Sequence, residues 1–238
     1  MTCILGSGGF IGRKIIDAFP ESTALSRVDL DLLNENAVKE YFSGASFDTV
    51  VHCAARGGSR LREDDTSVYS DNMNMFMNVY KHGRYKKLIW FSSGAAGNQT
   101  PYGRAKHDIE KIVENDPKVS VIKIWGCFGP GEPAQRLLAT GIREGRVVIQ
   151  KNRLFSFVHV HDVVFIVKCI IRGYEQRMIH MVYPGGPVLL SEILDMASIP
   201  YSVIENDLDE PYAGTWNTEL LKPVLCERIF EYVSHPVV

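Results

Sequence analysis

No stretch of the 238 residues approaches the roughly 18 uninterrupted apolar residues that read as a membrane-spanning helix, so no membrane span is expected. Neither sign of charge dominates. Twenty-six Lys and Arg stand against 28 Asp and Glu, a formal net charge of −2. The basic stripe by which nucleic-acid binders neutralise phosphate is lacking, and no nucleic-acid partner is expected. Cysteine is sparse. Cys3, Cys53, Cys127, Cys169 and Cys226 are odd in number, widely spaced and mostly in apolar runs. That is the pattern of reduced core thiols in a cytoplasmic protein and not of a disulfide framework. There is no internal repeat and no low-complexity tract. The opening MTCILGSGGF lacks a basic leader and runs straight into a glycine turn, so it reads as a strand and not as a signal peptide. What is present is 45% hydrophobic residues. A chain of this length buries roughly 70% of its unfolded surface, enough for one generous core and a small appended lobe.

Short apolar runs alternate with amphipathic stretches. Thr2–Leu5, Thr23–Leu25, Asp48–Cys53, Lys87–Phe91 and Ser120–Ile124 read as strands. Ile11–Phe19, a segment capped by Asn34 and running to Phe42, Ser70–His82 and Tyr102–Asn115 read as the helices between them. Strands separated by helices imply βαβ units, hence an α/β fold with a doubly wound parallel sheet. Beyond Pro130 the pattern loosens. Helices are expected at Ala134–Glu144, Asp162–Ile171, Ser191–Ala197 and Glu227–Val233, and strands at Val147–Gln150 and Phe155–Val160. The expected organisation is a dinucleotide-binding domain over residues 1–130. Residues 131–238 then supply the last sheet strands and a trimmed substrate lobe, interleaved with the first part and not independent of it.

Gly6, Gly9 and Gly12 follow the first strand and open the first helix, in the pattern Gly-x-x-Gly-x-x-Gly. Glycine allows the tight turn, the close approach of backbone to a pyrophosphate, and the seating of helix on sheet. The helix N-terminus then offers amides and a positive dipole end to the anion. Gly6, Gly9, Phe10, Ile11 and Gly12 are therefore candidate cofactor-binding residues. The residue ending the second strand discriminates between nicotinamide cofactors, an acid favouring the free ribose and a base the 2′-phosphate. Here it is Leu25-Ser26-Arg27, with no acid until Asp29, so Arg27 with Ser26 favours NADP and leaves NAD as the second choice.

Ser92-Ser93 ends the strand before the helix that carries Tyr102 and Lys106, which are four apart and share a helical face. An ammonium beside a phenol favours the phenolate. Such a tyrosine can exchange a proton with a substrate oxygen that the serine hydroxyl also holds. Alone, Tyr-x-x-x-Lys is a weak signal; after the glycine loop and on the right elements it is a strong one. Ser93, Tyr102 and Lys106 are the candidate catalytic residues, with Ser92 the neighbour that could be confused with Ser93.

These motifs, with Asp31-Leu32, His52-Cys53-Ala54-Ala55, Asn72, Phe128-Gly129-Pro130 and Val160-His161-Asp162, resemble the extended short-chain dehydrogenases/reductases, the NAD-dependent epimerase/dehydratase family. The similarity runs from Met1 to about Asp162. The stretch SRVDLDLLNENAVKEYF followed by AARGGS looks most like the 4-keto sugar nucleotide reductases of the GDP-L-fucose synthase branch, which carry an arginine at the position of Arg27. The resemblance implies a Rossmann sheet with a small carboxyl-terminal substrate lobe, and a sugar nucleotide as substrate. It places Asp31 and Leu32 beside the adenine and Ala54 and Ala55 beside the pyrophosphate and ribose. It adds Asn72, Tyr102 and Lys106 to the cofactor contacts. It further implies a homodimer, with Met73, Met75 and Met77 as candidate interface residues.

The departures narrow the chemistry. Family dehydratases carry Asp-Glu directly after the catalytic serine or threonine, where this chain has Gly94-Ala95. The epimerising synthases use a cysteine and a later histidine, where Ala95 and approximately Arg136 stand here. Phe155 replaces the family's sugar-phosphate arginine, with Arg153 the nearest substitute. His159 and His161 alternate at a strand end without a third ligand, so no metal is expected. His52 reads as a buried core imidazole. The expectation is reduction of a 4-keto sugar nucleotide. The alternatives are a sugar-nucleotide 4-epimerase that retains NAD and a non-catalytic dinucleotide-binding protein.

Overall fold

The computed structural model describes residues 1–59 and 62–235. The chain forms two compact units, Met1–Lys123 with Val167–Ile179, and Ile124–Ile166 with His180–Val238.

In the first unit the elements alternate as β1 (Thr2–Leu5), α1 (Phe10–Ala18), β2 (Thr23–Leu25), α2 (Glu35–Gly44), β3 (Phe47–His52), α3 (Ser67–His82), β4 (Tyr85–Ser93), α4 (Pro101–Val113) and β5 (Val119–Ile124). Asn34 caps α2 by accepting the Ala37 amide at 3.1 Å, as its side chain suits it to do. Thr100 caps α4 in the same way, accepting Gly103 N–H at 3.0 Å, with Pro101 opening the helix. The strands lie in the order β10-β5-β4-β3-β1-β2, and β2, β1, β3 and β4 pair parallel. The chain order turns back between β1 and β3, and the crevice outside the carboxyl ends of strands at such a switch is where ligands bind. Cys3, Leu5, Val50, Leu88, Trp90 and Phe76 form the centre of the core beneath it. Met73, Met75 and Met77 pack against this same core.

The second unit continues with β6 (Gly126–Phe128), α5 (Leu137–Glu144), β7 (Val147–Asn152), β8 (Leu154–Phe155), β9 (Phe157–His159) and α6 (Val160–Ile171), whose end returns the chain to the first unit. After β10 (Met178–Met181), which joins the six-stranded sheet, come β11 (Val188–Leu189), α7 (Leu190–Met196), β12 (Tyr201–Leu208) and α8 (Leu225–Ser234). β6 pairs with β9, β7 with β12 and β8 with β11. The single strand expected over Phe155–Val160 is broken at Ser156. There the Ser156 amide donates to the Tyr212 carbonyl at 3.2 Å, and its carbonyl accepts Gly126 N–H at 3.0 Å. α5 starts at Leu137 and not at Ala134, because a turn closed by Arg136 N–H on the Pro133 carbonyl precedes it. Among the described residues no helix is long and apolar enough to cross a membrane.

A buried carboxyl in this unit makes stability depend on pH. Glu132 is 9% exposed, receives the Tyr232 hydroxyl and an α5 amide, and has one oxygen without a partner among the described residues. Burial raises its pKa from 4.5 to about 7, against the weaker downward pull of Tyr232 and Arg136. Between those values the folded chain holds a proton that the unfolded chain has lost, so this group's contribution to stability falls as pH rises through that window. Glu132→Gln removes that dependence. The variant is expected to gain on the wild type by up to about 3 kcal/mol between pH 4.5 and 8, read by urea unfolding. An offset that is the same at both pH values would refute this.

Candidate functional site

A cleft of about 370 Å3 opens at the carboxyl ends of β1 and β3, lined by Gly6, Gly9, Arg27, Asp31, Ala54 and Ala55 among others. Three glycines shape it for different reasons. Gly6 has φ +78°, and a Cβ there would stand 2.5 Å from the Ala54 amide nitrogen. A Cβ on Gly12 would stand 2.4 Å from the Gly6 carbonyl oxygen, so α1 can seat against the loop only with glycine at that position. Gly9 is different: its φ is −78°, and the nearest atom to an added Cβ is the Gly6 oxygen at 3.5 Å. Among the described residues nothing demands glycine at position 9. It is the N-cap of α1 and makes no side-chain cap, so backbone alone faces the cleft there. A pyrophosphate fits such a backbone cradle at a helix N-terminus.

At the end of β2 the Arg27 guanidinium lies 3.6 Å from the Asp31 carboxylate and is largely exposed. Asp31 also accepts the Leu33 amide at 3.1 Å, and Leu32 and Leu33 join the lining. Asp29 folds back: one of its oxygens accepts both the Ser26 N–H at 2.8 Å and the Ser26 hydroxyl at 2.6 Å. Those two bonds hold its carboxyl below the usual carboxylate range.

Of the other residues expected to bind cofactor, Phe10, Ile11, Gly12 and Asn72 are outside the lining of the cleft, as are Tyr102 and Lys106. Asn72 is buried and fully engaged with backbone. Its carbonyl accepts Arg56 N–H at 3.1 Å, and its amide donates to the Arg56 and Val68 carbonyls at 2.8 and 2.7 Å. It clamps the chain leaving β3 onto α3, and so sets the position of Ala54 and Ala55. The sequence does not single out Arg56 and Asp71, which also line the cleft, as do Cys53 of the motif before Ala54 and Met75, expected at an interface. The Arg56 guanidinium donates to Asp71, to Asp65 at 2.6 Å and to the Ser67 hydroxyl. The only sequence signal for it was its place directly after Ala54-Ala55.

Ser93, Tyr102 and Lys106 come from β4 and α4. β4 runs two residues further than expected and keeps both serines in the strand, where successive side chains point to opposite faces. The Ser92 hydroxyl donates to Glu110 of α4, which also pairs with Lys123 at 3.1 Å. The Ser93 hydroxyl accepts the Ala95 amide at 3.1 Å. Lys106 is buried, donates to the Phe91 carbonyl at 2.7 Å, and holds its nitrogen 4.6 Å from the Trp90 ring and 5.5 Å from the Tyr102 ring centroid. Burial lowers its pKa to about 7, opposed in part by Glu110 and Cys53. Tyr102 is held from two sides. Its amide donates to Asp64 at 3.3 Å, and Asp64 also accepts Gly58 N–H at 2.9 Å. An added Cβ on Gly58 would fall 2.7 Å from the Tyr102 ring, so only glycine lets that loop approach the phenol.

The other residues weighed in the sequence for further chemistry lie in the second unit. His159 is fully buried, and burial lowers its pKa to about 4. His161 lies 3.9 Å from Glu231, and Arg136 donates to the Cys127 carbonyl. Phe155 stacks on Phe157 at 4.5 Å, and Arg153 is paired with Asp209.

A sequence model of the NAD dependent epimerase/dehydratase family matches residues 2–182. No curated protein matches the chain. Solved structures do. dTDP-4-dehydrorhamnose reductase from Bacillus anthracis, in complex with NADP, is 17% identical with a TM-score of 0.74, covering 97% of this chain and 96% of that one. GDP-L-fucose synthetase from Naegleria fowleri is 16% identical with a TM-score of 0.71, covering 98% and 91%. UDP-glucose 4-epimerase from Thermotoga maritima is 17% identical with a TM-score of 0.76, covering 98% and 97%.

Proposed function

The chain belongs to the NAD dependent epimerase/dehydratase family, and on that footing we propose that it reduces a 4-keto sugar nucleotide with NADPH, using Ser93, Tyr102 and Lys106. The observation that carries the reading is the placement of Lys106, buried on the Phe91 carbonyl with its nitrogen 5.5 Å from the Tyr102 ring. A cation held there stabilises a phenolate, so Tyr102 can give up its proton to a substrate oxygen. Ser93 holds that oxygen by a hydrogen bond. The dinucleotide, when bound, supplies the hydride. Gly6, Gly9 and the first turn of α1 receive its pyrophosphate, Ala54 and Ala55 flank it, and Asp31 and Leu32 border the adenine. The three structural relatives act, by their names, on sugar nucleotides, which supports that substrate class.

Gly94-Ala95 supplies no acid for elimination, and Ala95 no thiol for epimerisation beside the ketone. Net reduction without change at neighbouring carbons is the expected outcome. The test is a panel of 4-keto sugar nucleotides incubated with NADPH in deuterated water, with products read by mass spectrometry. Reduced product without solvent deuterium at carbons 3 and 5 supports the reading. Deuterium there, above a no-enzyme control, overturns it. A 4-epimerase uses the same three residues, and the similarity to the UDP-glucose 4-epimerase favours it as second reading. Tightly held NAD in the purified protein and interconversion of 4-epimers without net NADPH use would decide for it.

Arg27 is the group for the 2′-phosphate. A charge-assisted guanidinium–phosphate contact contributes about 1.5–3 kcal/mol. Arg27→Ala is therefore expected to weaken NADP by more than about tenfold and to leave NAD nearly unchanged, read by calorimetric titration. Equal weakening of both would refute the role.

A further inference from the structure

We propose that Asp29 sets the cofactor selectivity of the cleft, by taking the two Ser26 donors that would otherwise hold a 2′-phosphate, so that NAD is accepted almost as well as NADP. The proposal deepens the reading above and rests on it.

The end of β2 offers a ligand two short-range hydrogen-bond donors besides Arg27: the Ser26 amide and the Ser26 hydroxyl. Both are directed to one Asp29 oxygen, at 2.8 and 2.6 Å. A phosphate oxygen has no hydrogen to give and needs donors, and here both donors are already spent. With its proton committed to Asp29, the Ser26 hydroxyl presents only lone pairs to anything else. Lone pairs suit a ribose 2′-hydroxyl, which can donate, and repel a phosphate.

Charge points the same way. Asp29 stays ionised because the two Ser26 bonds favour its charged form. Asp31 stands 3.6 Å from Arg27 on the other side. A 2′-phosphate entering this corner meets one guanidinium already paired with the Asp31 carboxylate, and a Ser26 whose donors are turned to Asp29. The remaining arginine of the cleft, Arg56, is bound by Asp65 and Asp71. Ser26 lines the cleft, so the residue that Asp29 engages stands where the ligand binds. Judged by its strand end alone, Leu25-Ser26-Arg27 is an NADP site; with Asp29 folded back, it serves both dinucleotides.

The test needs no sugar substrate. Wild type, Asp29→Ala, Asp29→Glu and Ser26→Ala are titrated calorimetrically with NADP and with NAD. Wild type is expected to bind the two within about tenfold of each other. Asp29→Ala frees the amide and the hydroxyl and removes a carboxylate, so NADP should tighten by about tenfold while NAD does not. Ser26→Ala removes the acceptor and should weaken NAD by several-fold, with less effect on NADP. Asp29→Glu keeps the charge and an acceptor for Ser26, and should keep the wild-type ratio. A purely structural role for Asp29 would weaken both dinucleotides together, and that result overturns the proposal, as does a ratio unchanged in Asp29→Ala. A wild type that prefers NADP by more than about tenfold overturns it while leaving the reductase reading intact. A wild type that binds neither dinucleotide overturns both.

Discussion

Tyr102→Phe is expected to cut turnover of the 4-keto sugar nucleotide by about 10²–10⁴-fold, the range for loss of a general acid, and to leave dinucleotide affinity nearly unchanged. The phenol oxygen is the only part of the side chain removed. The ring stays wedged between Gly58 and α4, and the amide stays on Asp64, because neither contact uses the hydroxyl. Phenylalanine thus fills the same space, and a fall in turnover reports chemistry and not collapse. Rates of NADPH oxidation and calorimetric titration together make the check. Loss of turnover with loss of cofactor affinity would mean that the substitution disturbed the site, and unchanged turnover would remove Tyr102 from the catalytic set. Lys106 adds a pH signature. Its pKa of about 7 means that the buried cation beside the phenol is lost as pH rises through neutrality. Support for a phenolate is therefore strongest below about pH 7 and declines above it.

What was legible follows from how local each feature is. The strand–glycine–helix opening is written in seven consecutive residues, and β1 and β2 fall on the expected spans because short apolar runs bounded by turns admit one reading. The Tyr102/Lys106 spacing is likewise local to one helix. β12 was missed because Tyr201–Leu208 alternates weakly, with Ile204 and Leu208 exposed, and exists as a strand through its pairing with β7. The fold-back of Asp29 onto Ser26 and the capture of Arg56 by Asp65 and Asp71 are side-chain choices within turns and loops, to which periodicity is blind. Asn72 shows the converse. The family resemblance assigns it to the cofactor, but it lies outside the lining of the cleft, its amide held by the backbone of Arg56 and Val68, so its influence on a ligand runs through Ala54 and Ala55. The choice between Ser92 and Ser93 turned on strand length. Only a β4 that continues to Ser93 turns Ser92 towards Glu110 and leaves Ser93 on the other face.

Gly9→Val is expected to weaken both NADP and NAD by about 10²-fold or more, while the protein remains folded. The three glycines of the loop allow a controlled comparison. Valine at Gly6 or Gly12 would strike the Ala54 backbone or the Gly6 carbonyl, so those variants are expected to lose fold and binding together. At Gly9 the backbone has φ −78° and ψ 166°, which valine adopts without strain, and among the described residues the nearest non-neighbouring atom to the new Cβ is the Gly6 oxygen at 3.5 Å. The cost to the free protein is confined to the N-cap preference, of order 1 kcal/mol. The isopropyl group instead projects where a pyrophosphate would meet the backbone at the start of α1. Two charge-assisted bonds lost there, at about 1.5–3 kcal/mol each, give the stated magnitude. Circular dichroism and thermal unfolding establish that the variant is folded, and calorimetric titration measures both cofactors. Arg27→Ala, which acts on the 2′-phosphate, should separate the two dinucleotides, whereas Gly9→Val should not, because the pyrophosphate is common to both. Unchanged affinity in a folded Gly9→Val protein would place the dinucleotide elsewhere and remove the cleft at the ends of β1 and β3 as its site.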